Sequence, residues 1–308
     1  MKNYLVFLSA AFLLLFVGCR PKNPKTQDTP TSGTLVIAAD EALKPIVDAE
    51  ISAFNALYSK AHITAFYVSE AQALDTLLKD SVRLAFATRK LTASEEEELK
   101  KNHFRADQSR VAIGGIALIV NNENPDTLLT VDQLQAILKG EIKNWNQITK
   151  SSKGEISVVF DHPNSGMIRF LKDSLFKIPA LPANCFATDS NAAVVDYVSK
   201  NPNAVGLIDI SWISDGDDAT TNKFMNAVKV MGISNGGEYF QPFQAYISLK
   251  KYPLLRDVVM ISREGRSGLA TGFMRFVASD KGQRIILKSG LVPATMPVRI
   301  VEINRNPL

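Results

Sequence analysis

The chain has 308 residues, 46% of them hydrophobic and 21% charged, with 35 Lys and Arg against 31 Asp and Glu for a formal net charge of +4. These are ordinary values for a globular protein, and the small, scattered positive excess argues against a nucleic-acid partner. The length suits two lobes better than one typical domain.

The N-terminus opens with Lys2, an almost wholly apolar run over residues 4–17, then Gly18 and Cys19. That run is the length of a signal-peptide apolar region and falls short of the roughly 20 residues a spanning helix needs. Phe16-Val17-Gly18-Cys19 resembles a bacterial lipobox, with Phe16 where leucine is usual. The resemblance implies a signal peptide over residues 1–18, cleavage before Cys19, and lipid on Cys19 holding the protein to a membrane of the cell envelope. The chain would then face the periplasm or the outer-membrane surface. Cys185 would be left without a partner, which excludes a disulfide framework and reads as a small buried hydrophobe. Residues 20–32, RPKNPKTQDTPTS, hold no aliphatic or aromatic side chain. They read as a flexible tether reaching on the order of 20 Å.

From Gly33 the pattern alternates between strands and helices. Residues 34–39 predict a buried strand, and Asp40 caps a helix whose apolar face is Leu43, Ile46, Val47, Ile51, Phe54 and Leu57. A strand at 62–68, a helix at 71–79 and a strand at 82–87 follow. Thr92 and Glu95 form a capping box for a helix through Lys101. The strand at 111–120 contains Gly114 and Gly115, which suggests a bend or a close backbone approach. Thr130 and Gln133 box a helix that reaches Lys139 and stops at Gly140. Further strands are expected at 156–160, 204–208, 244–249 and 258–262, and helices at 167–176, 192–199, 269–278 and 281–289. This alternation implies an α/β architecture.

Three strand-to-helix junctions carry similar chemistry: Ala38-Ala39-Asp40-Glu41-Ala42, Ala87-Thr88-Arg89-Lys90 and Asn164-Ser165-Gly166-Met167. In an open α/β sheet such junctions lie where ligands bind, and each helix start offers free N–H groups to an anion. His62, His103 and His162 are too scattered for a metal motif, and Asp215-Gly216-Asp217-Asp218 lacks the ligand spacing of a calcium loop. No nucleophile–base pair can be named, so no enzyme, metal or cofactor is expected.

Longer segments carry a family resemblance. VAIGGIALIVNNENP at 111–125, ILKGEIKNWNQI at 137–148, residues 191–206, YPLLR at 252–256 and FVASDKGQRIILKSGLVP at 276–293 are similar, in order, to the phosphate-type solute-binding proteins, the PstS-like receptors of phosphate ABC transporters. The resemblance implies a two-lobed periplasmic-binding-protein type 2 fold, each lobe a mixed sheet flanked by helices, joined by two crossover hinge segments. Lobe 1 would comprise residues 33–113 and 245–308, and lobe 2 residues 114–244. By position in the family pattern, the solute would meet Asp40, Glu41, Ser69, Thr88, Arg89, Asn164, Ser165 and Gly166. The family's hydroxyl-bearing turn is acidic here, at Asp40 and Glu41, and its loop arginine falls on Phe160 or Asp161. Arg89 offers an oxyanion a planar fork of donors, and Arg169 either joins it or points outward.

The implied function is that of a lipid-anchored, monomeric receptor that captures phosphate or a related small oxyanion and delivers it to an ABC permease. The acidic substitutions keep open a second reading. It is a PstS-like envelope receptor or scaffold for a different solute, or for no phosphate, acting in signalling or assembly.

Overall fold

The computed structural model describes residues 28–149 and 154–299. The expected signal peptide, Cys19, most of the tether and the tail from residue 300 lie outside the described residues.

The first lobe begins with β1 (Gly33–Asp40), which buries Leu35, Ile37, Ala38 and Ala39. Asp40 ends the strand, and its carboxylate accepts from the Ala42 N–H to cap the 3-10 turn Glu41–Leu43. There follow α1 (Lys44–Leu57), with Pro45 in its first turn, β2 (Ala61–Val68), α2 (Glu70–Leu78), β3 (Leu84–Ala87) and α3 (Ala93–Lys101). Both expected capping boxes form, at Thr92/Glu95 and Thr130/Gln133.

Next comes β4 (Asp107–Asn121), fifteen residues long, then β5 (Leu128–Thr130), α4 (Val131–Leu138) and β6 (Ser157–Phe160). The helix α5 (Gly166–Arg169) continues as a π-helical stretch, Phe170–Leu175. After it stand β7 (Cys185–Ala187), α6 (Asn191–Lys200), β8 (Ala204–Asp209), α7 (Ala219–Ala227), β9 (Val228–Val230) and β10 (Gly232–Ser234). The chain returns through α8 (Gln244–Ser248) to β11 (Leu255–Ser262), α9 (Leu269–Ala278), α10 (Asp280–Lys288) and β12 (Val292–Pro293).

The strands order as β2-β1-β3-β11-β4-β8-β6-β7. Parallel pairs β1–β2 and β1–β3 build the first half, and β6–β7 and β6–β8 the second. Between them β4 is antiparallel to both neighbours: it pairs with β11 up to Gly115 and with β8 from Ile116. One strand thus serves both lobes, which makes each sheet mixed, as the resemblance implied.

Buried polar side chains brace that shared strand. The Tyr252 hydroxyl donates to the Ile116 carbonyl at 2.6 Å, and the Ile116 N–H donates to the Leu254 carbonyl. A side chain at Gly115 would stand 2.9 Å from that same Leu254 oxygen, so the close backbone approach expected of the paired glycines occurs there. At the lobe-1 end, a bulge opposite Val258 and Val259 leaves Val111 outside the ladder. Its carbonyl accepts instead from Gln283 Nε2 and from the Ala294 N–H. At the lobe-2 end, the Asn121 amide donates to the Val198 and Ser199 carbonyls at the end of α6.

Three expectations change. Residues 244–249 form the helix α8 rather than a strand. Only Ile247 is buried there, and the Gln244 amide is committed to the Leu287 carbonyl in the last turn of α10 and the Leu291 carbonyl just beyond it. The apolar alternation at 245–249 is therefore one helical turn docked by a side chain, not a pleat. Leu57, assigned to the apolar face of α1, is exposed. The tether, expected through Ser32, is already docked at Asp28, whose carboxylate is buried against Arg83 and Arg266 and accepts from the Leu269 N–H. Burial opposes the Asp28 charge, but the hydrogen bonds from Arg83 and Arg266 outweigh it and hold the carboxyl below its ordinary range.

One core residue carries a pH signature. Glu50 on α1 is fully buried, neither carboxyl oxygen has a hydrogen-bond partner among the described residues, and burial pushes it up from 4.5 to about 9. The folded protein therefore holds a proton at neutral pH that the unfolded chain releases. As pH rises from about 4.5 towards 9, stability falls by about 1.4 kcal/mol per pH unit from this group alone. Glu50→Gln is predicted to raise the melting temperature by several degrees at pH 8 and hardly at all at pH 5; equal shifts at both would contradict the assignment.

Candidate functional site

The carboxyl ends of β1, β2 and β3 face α5 and α6 of the other lobe, and the side chains at these ends are polar and buried. Hydrogen-bonded contacts cross between the lobes at this face. Arg169 Nε donates to Glu70 at 2.6 Å. The Asn191 N–H and amide both donate to Glu41, at 3.1 and 2.7 Å. The Ser211 hydroxyl and Trp212 indole N–H share the Ala42 carbonyl. Arg256 of β11 meets Asp209 of β8 at 2.5 Å, with both side chains 2% exposed.

Glu70 lies at the centre. It opens α2 immediately after Ser69, whose hydroxyl accepts from the Gln72 N–H as the helix cap. One Glu70 oxygen accepts from the Thr88 N–H at 2.7 Å and the Thr88 hydroxyl at 2.6 Å; the other accepts from Arg169. Arg89 stands 3.7 Å away through Nε. A side chain on Gly166 would come within 2.6 Å of Thr88 Oγ1, 2.7 Å of Glu70 and 2.8 Å of Asp40 Oδ2. Only a residue without Cβ lets the start of α5 approach lobe 1 so closely.

The charges are divided. Burial raises the Glu70 carboxyl, but the Arg169 charge and the Thr88 donors outweigh it, so Glu70 stays below its ordinary range and ionised. Its neighbours go the other way. Burial, then the charges of Asp161 and Glu70, push Asp40 well above the ordinary carboxylate range. Burial also raises Asp161 and Glu41, against partial relief from Ser165 and Asn191 respectively. Oδ2 of Asp40 and Oδ1 of Asp161 have no hydrogen-bond partner among the described residues, and neither do Nε and Nη1 of Arg256, whose charge acts on both acids. The cleft floor therefore holds buried acceptors and donors with bonding capacity to spare.

Of the residues expected from the sequence, Asp40, Thr88 and Gly166 come together, with Glu41, Ser69 and Ser165 buried or half-buried at the adjoining helix starts. Ser165 caps α5 by accepting from the Ile168 N–H. Two of the expected residues have other partners. Arg89 spends its fork on Glu95, at 2.6 and 2.8 Å, because the capping box of α3 places that carboxylate in reach. Asn164 is exposed in the turn before α5, with its N–H on His162 Nδ1, and does not reach the cleft. Arg169 turns inward and supplies the cation instead. Glu70 and Asn191 were missed. Glu70 directly follows Ser69, so its place in a strand-to-helix junction was the available signal; Asn191 heads a helix that reads only as capped. Among the described residues no group of three or more His, Cys, Asp or Glu could hold a metal ion, and no helix is long and apolar enough to cross a membrane.

Comparison with known proteins adds the following. The family model described as the PBP superfamily domain matches residues 24–281. The chain is 24% identical over 305 residues to the phosphate-binding protein PstS of Bacillus subtilis, covering 96% of this chain and 94% of that one. Its fold is similar to that of a Clostridium perfringens protein assigned as a phosphate ABC transporter substrate-binding protein and solved with phosphate bound. The TM-score is 0.73 at 22% identity, over 85% of this chain and 100% of the other. It is also similar to an ABC-type phosphate transport receptor from Vibrio cholerae, with a TM-score of 0.65 at 23% identity, over 85% and 100% of the two chains.

The tight seat of Gly166 yields a prediction. Gly166→Ala, at a helix start where alanine is acceptable to the backbone, should leave the melting temperature within a few degrees of wild type. It should enlarge the radius of gyration in small-angle scattering, because the methyl group collides with three oxygens of the opposite lobe. An unchanged radius would show that the lobes do not close on this glycine.

Proposed function

The chain belongs to the PBP superfamily, and on that footing we propose that it is the solute-binding component of an ABC transporter, capturing phosphate or a related small oxyanion between its lobes. The observation that carries this reading is the Glu70 carboxylate itself: an ionised oxyanion held in the cleft by a backbone N–H, a hydroxyl and a guanidinium drawn from both lobes. Such a mixed donor set suits a tetrahedral oxyanion equally well. The cleft opens into a cavity of about 610 Å³ lined by Arg89, Lys90, Arg110, Arg169, Lys250 and Arg256 among others. A mouth so rich in cations draws anions inward.

The raised carboxyls make phosphate more acceptable than a count of acids suggests. Burial raises the Asp40 and Asp161 carboxyls, so these acids resist charge, and each can meet an incoming anion as a hydrogen-bond partner. Phosphate can both donate and accept at these oxygens; sulfate can only accept. Capture is by closure: a solute touching both lobes favours the form in which they meet, and that form is what a permease distinguishes. The reading includes lobe 1 at residues 33–113 and 245–308, lobe 2 at 114–244, a monomer, and anchoring through lipid on Cys19 at the cell envelope. The surplus of buried carboxyls favours one second reading, an envelope receptor of the same fold whose solute brings hydroxyls or protons of its own.

Titration calorimetry on the purified protein is predicted to give phosphate binding and at least tenfold weaker sulfate binding. Absence of phosphate heat and of any thermal shift at millimolar phosphate would remove phosphate as the ligand. Equal affinities would remove the role given to the acids.

A further inference from the structure

Thr88 is one of the residues that the family pattern assigns to the solute, yet both of its donors are taken by Glu70. The other Glu70 oxygen takes Arg169, the cation of the opposite lobe that enters the cleft. Glu70 is 1% exposed, sits at the start of α2 against the floor formed by Asp40, and packs within contact range of the Gly166 backbone. A carboxylate presents two oxygens with the charge and hydrogen-bond demands of two oxygens of a phosphate. It is tethered to the backbone four bonds away, so it competes for these donors intramolecularly, without the cost of capture from solution.

We infer that Glu70 is a built-in occupant of the anion site, which latches lobe 1 to lobe 2 through Arg169 and which an incoming oxyanion must displace from Thr88 and Arg169. The proposal rests on the phosphate reading for its ligand and on geometry alone for its latch. Glu70 then determines specificity: an anion binds only if it satisfies these donors better than a carboxylate that is already there. A monodentate or weakly accepting anion does not. Displacement also leaves Glu70 to find a new place, and Arg89, whose Nε is 3.7 Å from it, is the nearest remaining cation among the described residues.

Two variants test the inference in the full chain. Glu70→Ala removes the carboxylate; Glu70→Gln keeps its shape and can still accept from Thr88, but cannot pair with Arg169. Circular dichroism melts establish that each is folded. Small-angle scattering in phosphate-free buffer reads the latch without any ligand: both variants should have a larger radius of gyration than wild type, Glu70→Ala the more so. Radii equal to that of wild type in both variants would overturn the latch. Calorimetry with inorganic phosphate reads the competition: Glu70→Ala should bind at least tenfold more tightly than wild type, with Glu70→Gln between them. Equal or weaker binding by Glu70→Ala would overturn displacement while leaving phosphate capture intact. Binding of phosphate by none of the three proteins would overturn the phosphate reading instead, and the scattering result would then decide the latch alone.

Discussion

Both lobes hang on one strand. Because β4 is hydrogen-bonded to β11 before Gly115 and to β8 after it, the two halves of the sheet cannot separate without breaking backbone pairing. They can rotate only where the ladder changes partner. That point is held from outside by Tyr252 on the Ile116 carbonyl and from beneath by the buried Arg256–Asp209 pair. Breaking a buried pair by removing one partner typically costs about 3–5 kcal/mol, so Arg256 and Asp209 also fix how far the floor of the cleft can spread. Everything the site does follows from this geometry: strand ends of lobe 1 face helix starts of lobe 2 across a gap whose base is pinned and whose rim is free.

Across that gap the protein places more acid than base and then divides it. Glu70 keeps its charge because Arg169 and Thr88 hold it; burial raises the Asp40, Asp161 and Glu41 carboxyls, with the Glu70 charge adding to the effect on Asp40. A single ionised carboxylate surrounded by reluctant ones is a consistent arrangement, since each further charge in a water-poor cleft would cost more than the last. The same logic accounts for the departure from the family pattern. Where the family's loop arginine would fall on Phe160 or Asp161, Arg169, one helical turn on from Ser165, is the guanidinium that meets Glu70.

Much of the fold was legible because the segments that mark the family are largely structural. Trp145 of the 137–148 segment is fully buried with its indole N–H on the Asn203 carbonyl, Asn121 ties β4 to the end of α6, and Gln283 receives the carbonyl stranded by the β4 bulge. Tyr252 and Arg256 of YPLLR brace the crossover. Each meets a fixed backbone group that any chain with this topology must satisfy, so residue type and place travel together. The site was less legible because its partners are brought together by folding: Glu70 and Arg169 are 99 positions apart and neither forms a local motif. Arg89 misled for the opposite reason, since its partner Glu95 had already been assigned to a helix cap and a carboxylate can serve a cap and a guanidinium at once. Residues 244–249 misled because five or six alternating residues fit one helical turn as well as a short strand.

The docking of Asp28 bears on how the protein carries mechanical load. A pull on the chain ahead of residue 28 reaches first the Asp28 carboxylate, clamped by Arg83 just before β3 and by Arg266 just before α9, and only then β1. Tension is thereby spread over two cations and a backbone N–H from distant parts of lobe 1, instead of peeling β1 from β2 one hydrogen bond at a time. The strand whose end carries Asp40 is shielded from strain arriving along the chain, so drag or crowding at the N-terminal side need not distort the cleft.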